Sequence, residues 1–172
     1  MIKSIFLTVG TTSFPELINA ASSKKFCKML KEMGIEEVTM QYGNGKTPNP
    51  HYYKSNDIKL NIFDFKNSIT DDIQNCDIVI CHAGSGSILE GLKHCKKLLV
   101  VINESLMNNH QIELAEKLAS EEYLINCTIR NIQERFNEVF HNKLRQYHEV
   151  CDSKLGLYLT DYIKDISNSE HN

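Results

Sequence analysis

One stretch of the chain, residues 75–90, constrains the fold more than any other. It reads Asn-Cys-Asp-Ile-Val-Ile-Cys-His-Ala-Gly-Ser-Gly-Ser-Ile-Leu-Glu. The apolar run at 78–81 predicts a buried strand, the glycines at 84 and 86 interrupt it, and a helical spacing of apolar residues follows. Small residues in such a turn let a ligand reach the backbone, where free N–H groups and the helix dipole attract an anion. The stretch therefore indicates a nucleotide or phosphate site, or an ordinary strand-to-helix connection.

Neither of the two best-known phosphate-binding fingerprints is present. The third glycine of the dinucleotide-binding motif would fall at Leu89. The segment Gly45-Lys46-Thr47 is not a P-loop either, because the position five before Gly45 is Met40. We therefore interpret residues 43–56, which are rich in Gly, Asn, Pro and Lys, as a mobile surface loop.

Length and composition favour one globular domain. The chain has 172 residues, 41% of them hydrophobic, which is enough for a sizeable core. Its formal charge of −3, with no basic cluster, argues against a nucleic-acid partner. We expect neither a membrane span nor a signal peptide. The six cysteines show no C-x-x-C pairing, so we interpret them as reduced core residues of a cytosolic protein.

Strand-like and helical segments alternate about six times along the chain. Strands are predicted at residues 2–9, 37–42, 58–65, 78–81, 97–102 and 123–128. Helices are predicted at residues 14–33, 67–75, 87–95, 109–119 and 130–147. This alternation predicts an α/β fold, an open parallel sheet with helices on both faces. Ligands of such sheets bind outside the carboxyl ends of the strands, where four loops would gather, at residues 10–14, 63–66, 82–87 and 103–111.

Two signals bound the first helix. Ser13 is a plausible N-cap, and Pro15 and Glu16 suit a first helical turn. Gly34 suits the position just after a helix. We therefore predict one uninterrupted helix between them.

The C-terminal segment is distinct from the rest. Its apolar residues recur at helical spacing and form one stripe, made of Leu155, Tyr158, Leu159, Tyr162, Ile163 and Ile166. We divide the chain into a domain at residues 1–150 and an amphipathic helix and tail at 151–172. The helix either packs on its own sheet or docks on a partner chain.

Four motifs follow one another in a fixed order. They are Gly10-Thr-Thr-Ser-Phe14, Gln41-Tyr-Gly-Asn-Gly45, the stretch from Cys76 to Glu90, and Asn108-Asn-His-Gln111 with Leu114-Ala115. Together they resemble the glycosyltransferase family 28 C-terminal domain, over about residues 1–130. More narrowly, the set resembles the donor-binding subunit of the eukaryotic two-chain UDP-N-acetylglucosamine transferase. The resemblance implies a Rossmann-like domain, the donor-binding half of a two-domain GT-B glycosyltransferase.

The resemblance also implies site residues. The donor diphosphate would lie against Gly10, Thr11, Thr12, Ser85, Gly86 and Ser87. Glu90 would accept hydrogen bonds from the ribose, and Phe65 would lie beside the uracil. The N-acetylglucosamine (GlcNAc) would contact Asn109, His110 and Gln111.

His82 and His110 are the candidate catalytic residues. His82 ends a strand beside the phosphates, where a cationic imidazole would stabilise the leaving UDP. A lone histidine is more often structural or solvated, and the resemblance implies that the general base comes from the partner chain. No D-x-D or carboxylate cluster occurs, so we predict no metal and no cofactor.

The reaction implied by the resemblance is an inverting transfer. UDP-GlcNAc would donate a second GlcNAc, in β-1,4 linkage, to GlcNAc-diphosphodolichol, for protein N-glycosylation. A membrane-anchored partner would bind the dolichyl acceptor and recruit this cytoplasmic chain to the cytosolic face of the endoplasmic reticulum.

Other functions are compatible with parts of the sequence. A non-catalytic UDP-sugar-binding or regulatory module would share the donor site. A UDP-GlcNAc epimerase of the same fold would need both halves in one chain, for which 172 residues are too few. A nucleotide-free α/β domain would leave the four ordered motifs unexplained.

Overall fold

The computed structural model describes residues 1–104 and 109–147, and for residues 109–111 the backbone only. At its centre lies one six-stranded sheet, in which every pairing is parallel. The strands are β1 Ser4–Thr8, β2 Glu37–Gln41, β3 Lys59–Phe63, β4 Ile78–His82, β5 Lys97–Val101 and β6 Ile125–Cys127. Their order is β3-β2-β1-β4-β5-β6, so the winding direction reverses between β1 and β4. This confirms the predicted open parallel sheet.

Helices cover both faces of the sheet. They are α1 Pro15–Ala21, α2 Lys24–Glu32, α3 His51–Lys54, α4 Thr70–Gln74, α5 Ser85–Lys93, α6 Asn109–Ser120 and α7 Ile132–His141, with a 3₁₀ turn at Ile129–Asn131. Alternate side chains of β1 belong to different cores: Ile5 and Leu7 pack with α1, α2 and α7, whereas Phe6 packs with α5 and α6. Both faces are therefore buried, as the continuous apolar runs predict.

The first helix differs from the prediction. α1 ends at Ala21, and α2 begins at Lys24 after Ser23, whose hydroxyl accepts a hydrogen bond from the Phe26 N–H at 3.2 Å. The break falls at a serine because its hydroxyl competes for backbone N–H groups and favours helix starts over helix interiors. The N-cap predicted at Ser13 is also wrong, since α1 follows Phe14. Gly34 is confirmed, with a φ of +80°.

Two other predicted segments are corrected. The loop at 43–56 contains α3, and the Tyr53 hydroxyl in it is fully buried and donates a hydrogen bond to Ala21 O at 2.9 Å. The second half of this loop is therefore packed against the domain rather than lying free on its surface. The helix predicted to reach residue 147 ends at His141.

The cysteines mostly match their prediction as core residues. Cys27, Cys76, Cys81 and Cys127 are buried. Burial raises the pKa of the Cys81 thiol to about 12, so the reactive thiolate is scarce at neutral pH. Cys95 is exposed, which corrects the prediction there, and Cys151 lies outside the described residues.

Two predictions about the whole chain depend on the same described range. Within residues 1–104 and 109–147, no helix combines the length and apolarity needed to cross a membrane. The division of the chain at residue 150, and the amphipathic helix beyond it, lie outside the described residues and stay predictions.

Candidate functional site

The loops after β1 and β4 leave the sheet side by side. The two strands are neighbours, with Thr8 opposite Cys81, and they flank the point where the strand order reverses. The crevice at such a point is the usual ligand site of an open parallel sheet. The fold thus brings together the turn that begins at Gly10 and the turn that begins at His82.

The turn after β1 is held by hydrogen bonds within itself. Gly10 has a φ of +61°, which favours glycine, and its N–H donates to Thr8 Oγ1 at 2.9 Å. The Thr12 hydroxyl donates to Val9 O at 2.8 Å, so its donor is already engaged. Thr11 and Thr12 are exposed, so a ligand can reach them, and their contact with the diphosphate stays a prediction.

A second turn, which follows β2, is packed against the first. Gly43 has a φ of +59°, and a Cβ added there would lie 2.1 Å from Thr12 O. Asn44 donates two hydrogen bonds, from its N–H to Thr12 O at 3.2 Å and from Nδ2 to Thr11 O at 2.9 Å. Sequence reasoning found this motif but assigned it no role. The structure shows that it shapes the turn at Thr11 and Thr12.

Helix α5 presents its N-terminus to the crevice. It begins at Ser85, two residues before the predicted start, so Ser85, Gly86 and Ser87 form its first turn. Gly84 at the N-cap provides no side-chain hydrogen bond to these N–H groups, which also lack intrahelical acceptors. Gly86 is exposed, with open space where a Cβ would stand, whereas Ser87 is buried. These backbone donors and the helix dipole form a suitable anion site.

His82 lies between the two glycine turns. A Cβ on Gly84 would come within 2.5 Å of its Nε2, and a Cβ on Gly10 within 3.2 Å of its Cε1. Its Nδ1 is buried and has no hydrogen-bond partner within the described part of the chain. Burial lowers the pKa of His82, although the Thr8 backbone acts in the opposite direction. Burial alone thus favours the neutral imidazole, whereas a bound diphosphate would favour the cation, so the cationic role of His82 stays a prediction.

Glu90 lies on α5 and is half-buried beside α4. Its Oε1 accepts a hydrogen bond from the hydroxyl of Thr70, the first residue of α4. The Ser68 hydroxyl in turn donates to Thr70 Oγ1 at 3.0 Å. A chain of hydroxyls therefore connects the carboxylate to the loop between β3 and α4.

That loop contains Phe65, which is 57% exposed. The Phe65 N–H donates to its neighbour Asp64 at 2.7 Å. Lys66 contacts Asp72 at 2.7 Å and lies over the Phe63 ring at 4.0 Å, which holds the loop against the sheet. An exposed aromatic ring at the carboxyl end of β3 is available to a planar base, but its backbone N–H is already engaged.

The remaining site residues are only partly described. Asn109, His110 and Gln111 begin α6, at the same edge of the sheet as the other loops, and their side chains lie outside the described residues. Their sugar-binding roles stay predictions. No group of three or more His, Cys, Asp or Glu that could hold a metal occurs in the described part of the chain.

The sheet order, the glycine turns and the open helix N-terminus define a class of protein, the Rossmann-like ligand-binding domains, to which those of GT-B glycosyltransferases belong. The solved structures agree with this class. MurG of Acinetobacter baumannii aligns with a TM-score of 0.62 at 14% identity, over 82% of this chain and 42% of that one. An NMR structure of ALG13 aligns with a TM-score of 0.67 at 25% identity, over 90% of this chain and 94% of that one.

Residues 4–158 match the glycosyltransferase family 28 C-terminal domain, and the chain belongs to that family. The human UDP-N-acetylglucosamine transferase subunit ALG13 is 44% identical over 129 residues, 75% of this chain. That match spans 11% of the human protein's length. The Saccharomyces cerevisiae protein of the same name is 30% identical over 156 residues, which cover 73% of this chain and 77% of the yeast protein. The resemblance seen in the motifs is thus confirmed.

Proposed function

We propose that this chain is the UDP-GlcNAc-binding catalytic subunit of an inverting N-acetylglucosaminyltransferase. It adds the second GlcNAc, in β-1,4 linkage, to GlcNAc-diphosphodolichol. The observation that carries the proposal is the open N-terminus of α5, which follows the turn at Gly84 and has Glu90 five residues beyond Ser85. Its relatives' name, UDP-N-acetylglucosamine transferase subunit, supports the donor and the reaction.

The mechanism follows from the charge on UDP. An acceptor hydroxyl attacks the anomeric carbon from the face opposite the diphosphate, so the carbon is inverted as UDP departs. The N–H groups of Ser85, Gly86 and Ser87 and the α5 dipole stabilise the charge that develops on the leaving group. Binding that strengthens as the bond breaks lowers the barrier, which makes this helix end the chain's main contribution.

The donor's other parts contact neighbouring loops. Glu90 accepts hydrogen bonds from the ribose, and Phe65 lies beside the uracil. The GlcNAc lies against the start of α6, at Asn109, His110 and Gln111. His82 lies between the two glycine turns as a polar neighbour of the diphosphate, whose negative charge opposes the lowering of its pKa by burial.

The proposal includes a partner. A membrane-anchored subunit binds the dolichyl acceptor, supplies the general base and recruits this chain to the cytosolic face of the endoplasmic reticulum. The name of the relatives describes a subunit, which supports a partner of some kind. The apolar stripe of the segment at 151–172 is the element we assign to this docking.

The test is transfer activity restored by the chain. Microsomal membranes stripped of peripheral proteins are mixed with the chain, UDP-GlcNAc and GlcNAc-diphosphodolichol, and the two-sugar lipid is measured. We expect product above the level of either component alone. A folded chain that binds UDP-GlcNAc but adds no activity would instead support the alternative, a non-catalytic UDP-sugar-binding module.

A further inference from the structure

We infer that Thr70 is a positioning residue for the nucleotide: its hydroxyl holds the Glu90 carboxylate in place for the ribose. The inference deepens the proposed function and rests on it. Neither the motifs nor the relatives assign a role to this threonine. The hydrogen bond from Thr70 would then join the loop that carries Phe65 to the carboxylate that binds the ribose.

The hydrogen bonds around Thr70 form a chain of donors that ends at the Glu90 carboxylate. The Thr70 N–H donates to Ser68 Oγ at 3.3 Å, the Ser68 hydroxyl donates to Thr70 Oγ1 at 3.0 Å, and the Thr70 hydroxyl donates to Glu90 Oε1. A hydroxyl has a single proton to donate, so that of Thr70 is committed to the carboxylate. A donor that itself accepts a hydrogen bond is polarised and binds its acceptor more strongly.

The carboxylate keeps one oxygen for a ligand. Oε1 is engaged by Thr70, and within residues 1–104 and 112–147 no hydrogen bond reaches Oε2. A glutamate has several rotatable bonds, and fixing them on binding costs free energy. An anchor on Oε1 removes part of that cost before the nucleotide arrives and leaves Oε2 to accept from a ribose hydroxyl.

A purely local role for the hydroxyl is not what the structure shows. Thr70 is the first residue of α4, and the hydroxyl that accepts from its N–H is that of Ser68, since the N-cap Ile69 provides no side-chain hydrogen bond. The Thr70 hydroxyl itself donates to Glu90 on α5. Both Thr70 and Glu90 are half-buried, so the contact is partly open to solvent rather than enclosed in the core.

The experiment compares UDP with 2′-deoxy-UDP. The full chain is titrated with each ligand by calorimetry, as wild type, Thr70→Val, Thr70→Ser and Ser68→Ala. Valine keeps the size of threonine and removes the hydroxyl, whereas serine keeps the hydroxyl. Thermal unfolding of each variant separates loss of fold from loss of positioning.

We expect the wild type to prefer UDP, and Thr70→Val to lower that preference about three- to tenfold, as for the loss of one hydrogen bond. Thr70→Ser should restore it, and Ser68→Ala should lower it less than Thr70→Val does. An equal loss of affinity for both ligands in Thr70→Val, or an unchanged preference, overturns the inference and leaves the proposed function standing. A folded wild type that binds no UDP overturns both.

Discussion

The glycines next to His82 determine how deeply its imidazole is buried. Glycines at 10 and 84 let the loops close around its ring, and a Cβ on Gly84 would come within 2.5 Å of it. The same enclosure removes water from Nδ1 and lowers the pKa of the imidazole. Desolvation is a property of the folded structure, so the position of His82 along the sequence could not predict it.

This environment predicts a pH dependence of stability. The pKa of His82 is lowered in the folded chain from its ordinary value of 6.5. Below that value the unfolded chain takes up a proton that the folded chain resists, so stability falls as the pH drops from about 6.5 toward the folded pKa. Lowering the pH from about 7.5 to about 5.5 should therefore reduce the free energy of unfolding more in the wild type than in His82→Gln, and denaturant unfolding at each pH measures this. Equal losses in the two proteins would contradict a buried, neutral His82.

Glu90 is the side chain for which the ligand prediction is sharpest. Glu90→Ala should weaken UDP-GlcNAc binding by about 1–3 kcal/mol, the usual effect of losing a charged hydrogen-bond partner. Calorimetry measures this, and Glu32→Ala, an exposed acid on α2, serves as the matched control. Unchanged affinity in Glu90→Ala would exclude this carboxylate from the site.

At the scale of elements, two glycines on α5 have opposite functions. At Gly91 the helix lies against β5, and an added Cβ would be 2.4 Å from Leu98 Cδ2, so this glycine allows close packing. At Gly86 an added Cβ meets nothing within 4 Å. Packing therefore gives no reason for a glycine there, and close approach of a ligand to the backbone does.

Gly86→Ala should separate stability from binding. Alanine favours the helix by up to about 1 kcal/mol, so the unfolding free energy should stay the same or rise. Its methyl group would intrude where the diphosphate approaches, so affinity for UDP should fall. Thermal unfolding and calorimetry on one sample measure both quantities. A variant that binds UDP as tightly as wild type would contradict diphosphate binding at this helix end.

The elements also show what sequence patterns predict well. Residues 78–81 and 97–102 are continuous apolar runs, and both became central strands within one residue of their predicted ends. The prediction of one helix at residues 14–33 was wrong because the apolar spacing continues through its serines, whereas the Ser23 hydroxyl caps a new helix through a local hydrogen bond. Periodicity identifies the buried face better than it identifies the ends of an element.

At the scale of the molecule, alternation along the chain was enough to predict the parallel sheet and the edge where the loops meet. The same alternation could not predict the contacts between side chains within the site. The hydrogen bonds from Asn44 to Thr11 and from Thr70 to Glu90 join residues 33 and 20 positions apart. No local pattern marks such pairs, because they arise only once the strands have set the loops side by side.

The central claim is that this chain binds UDP-GlcNAc at the crevice between β1 and β4. The most direct measurement is calorimetric titration of the full chain with UDP-GlcNAc, with UDP-glucose and ADP-glucose as controls. We predict saturable binding that is tightest for UDP-GlcNAc, weaker for UDP-glucose and absent for ADP-glucose. Binding of all three with equal affinity, or of none by a chain shown to be folded, would contradict it.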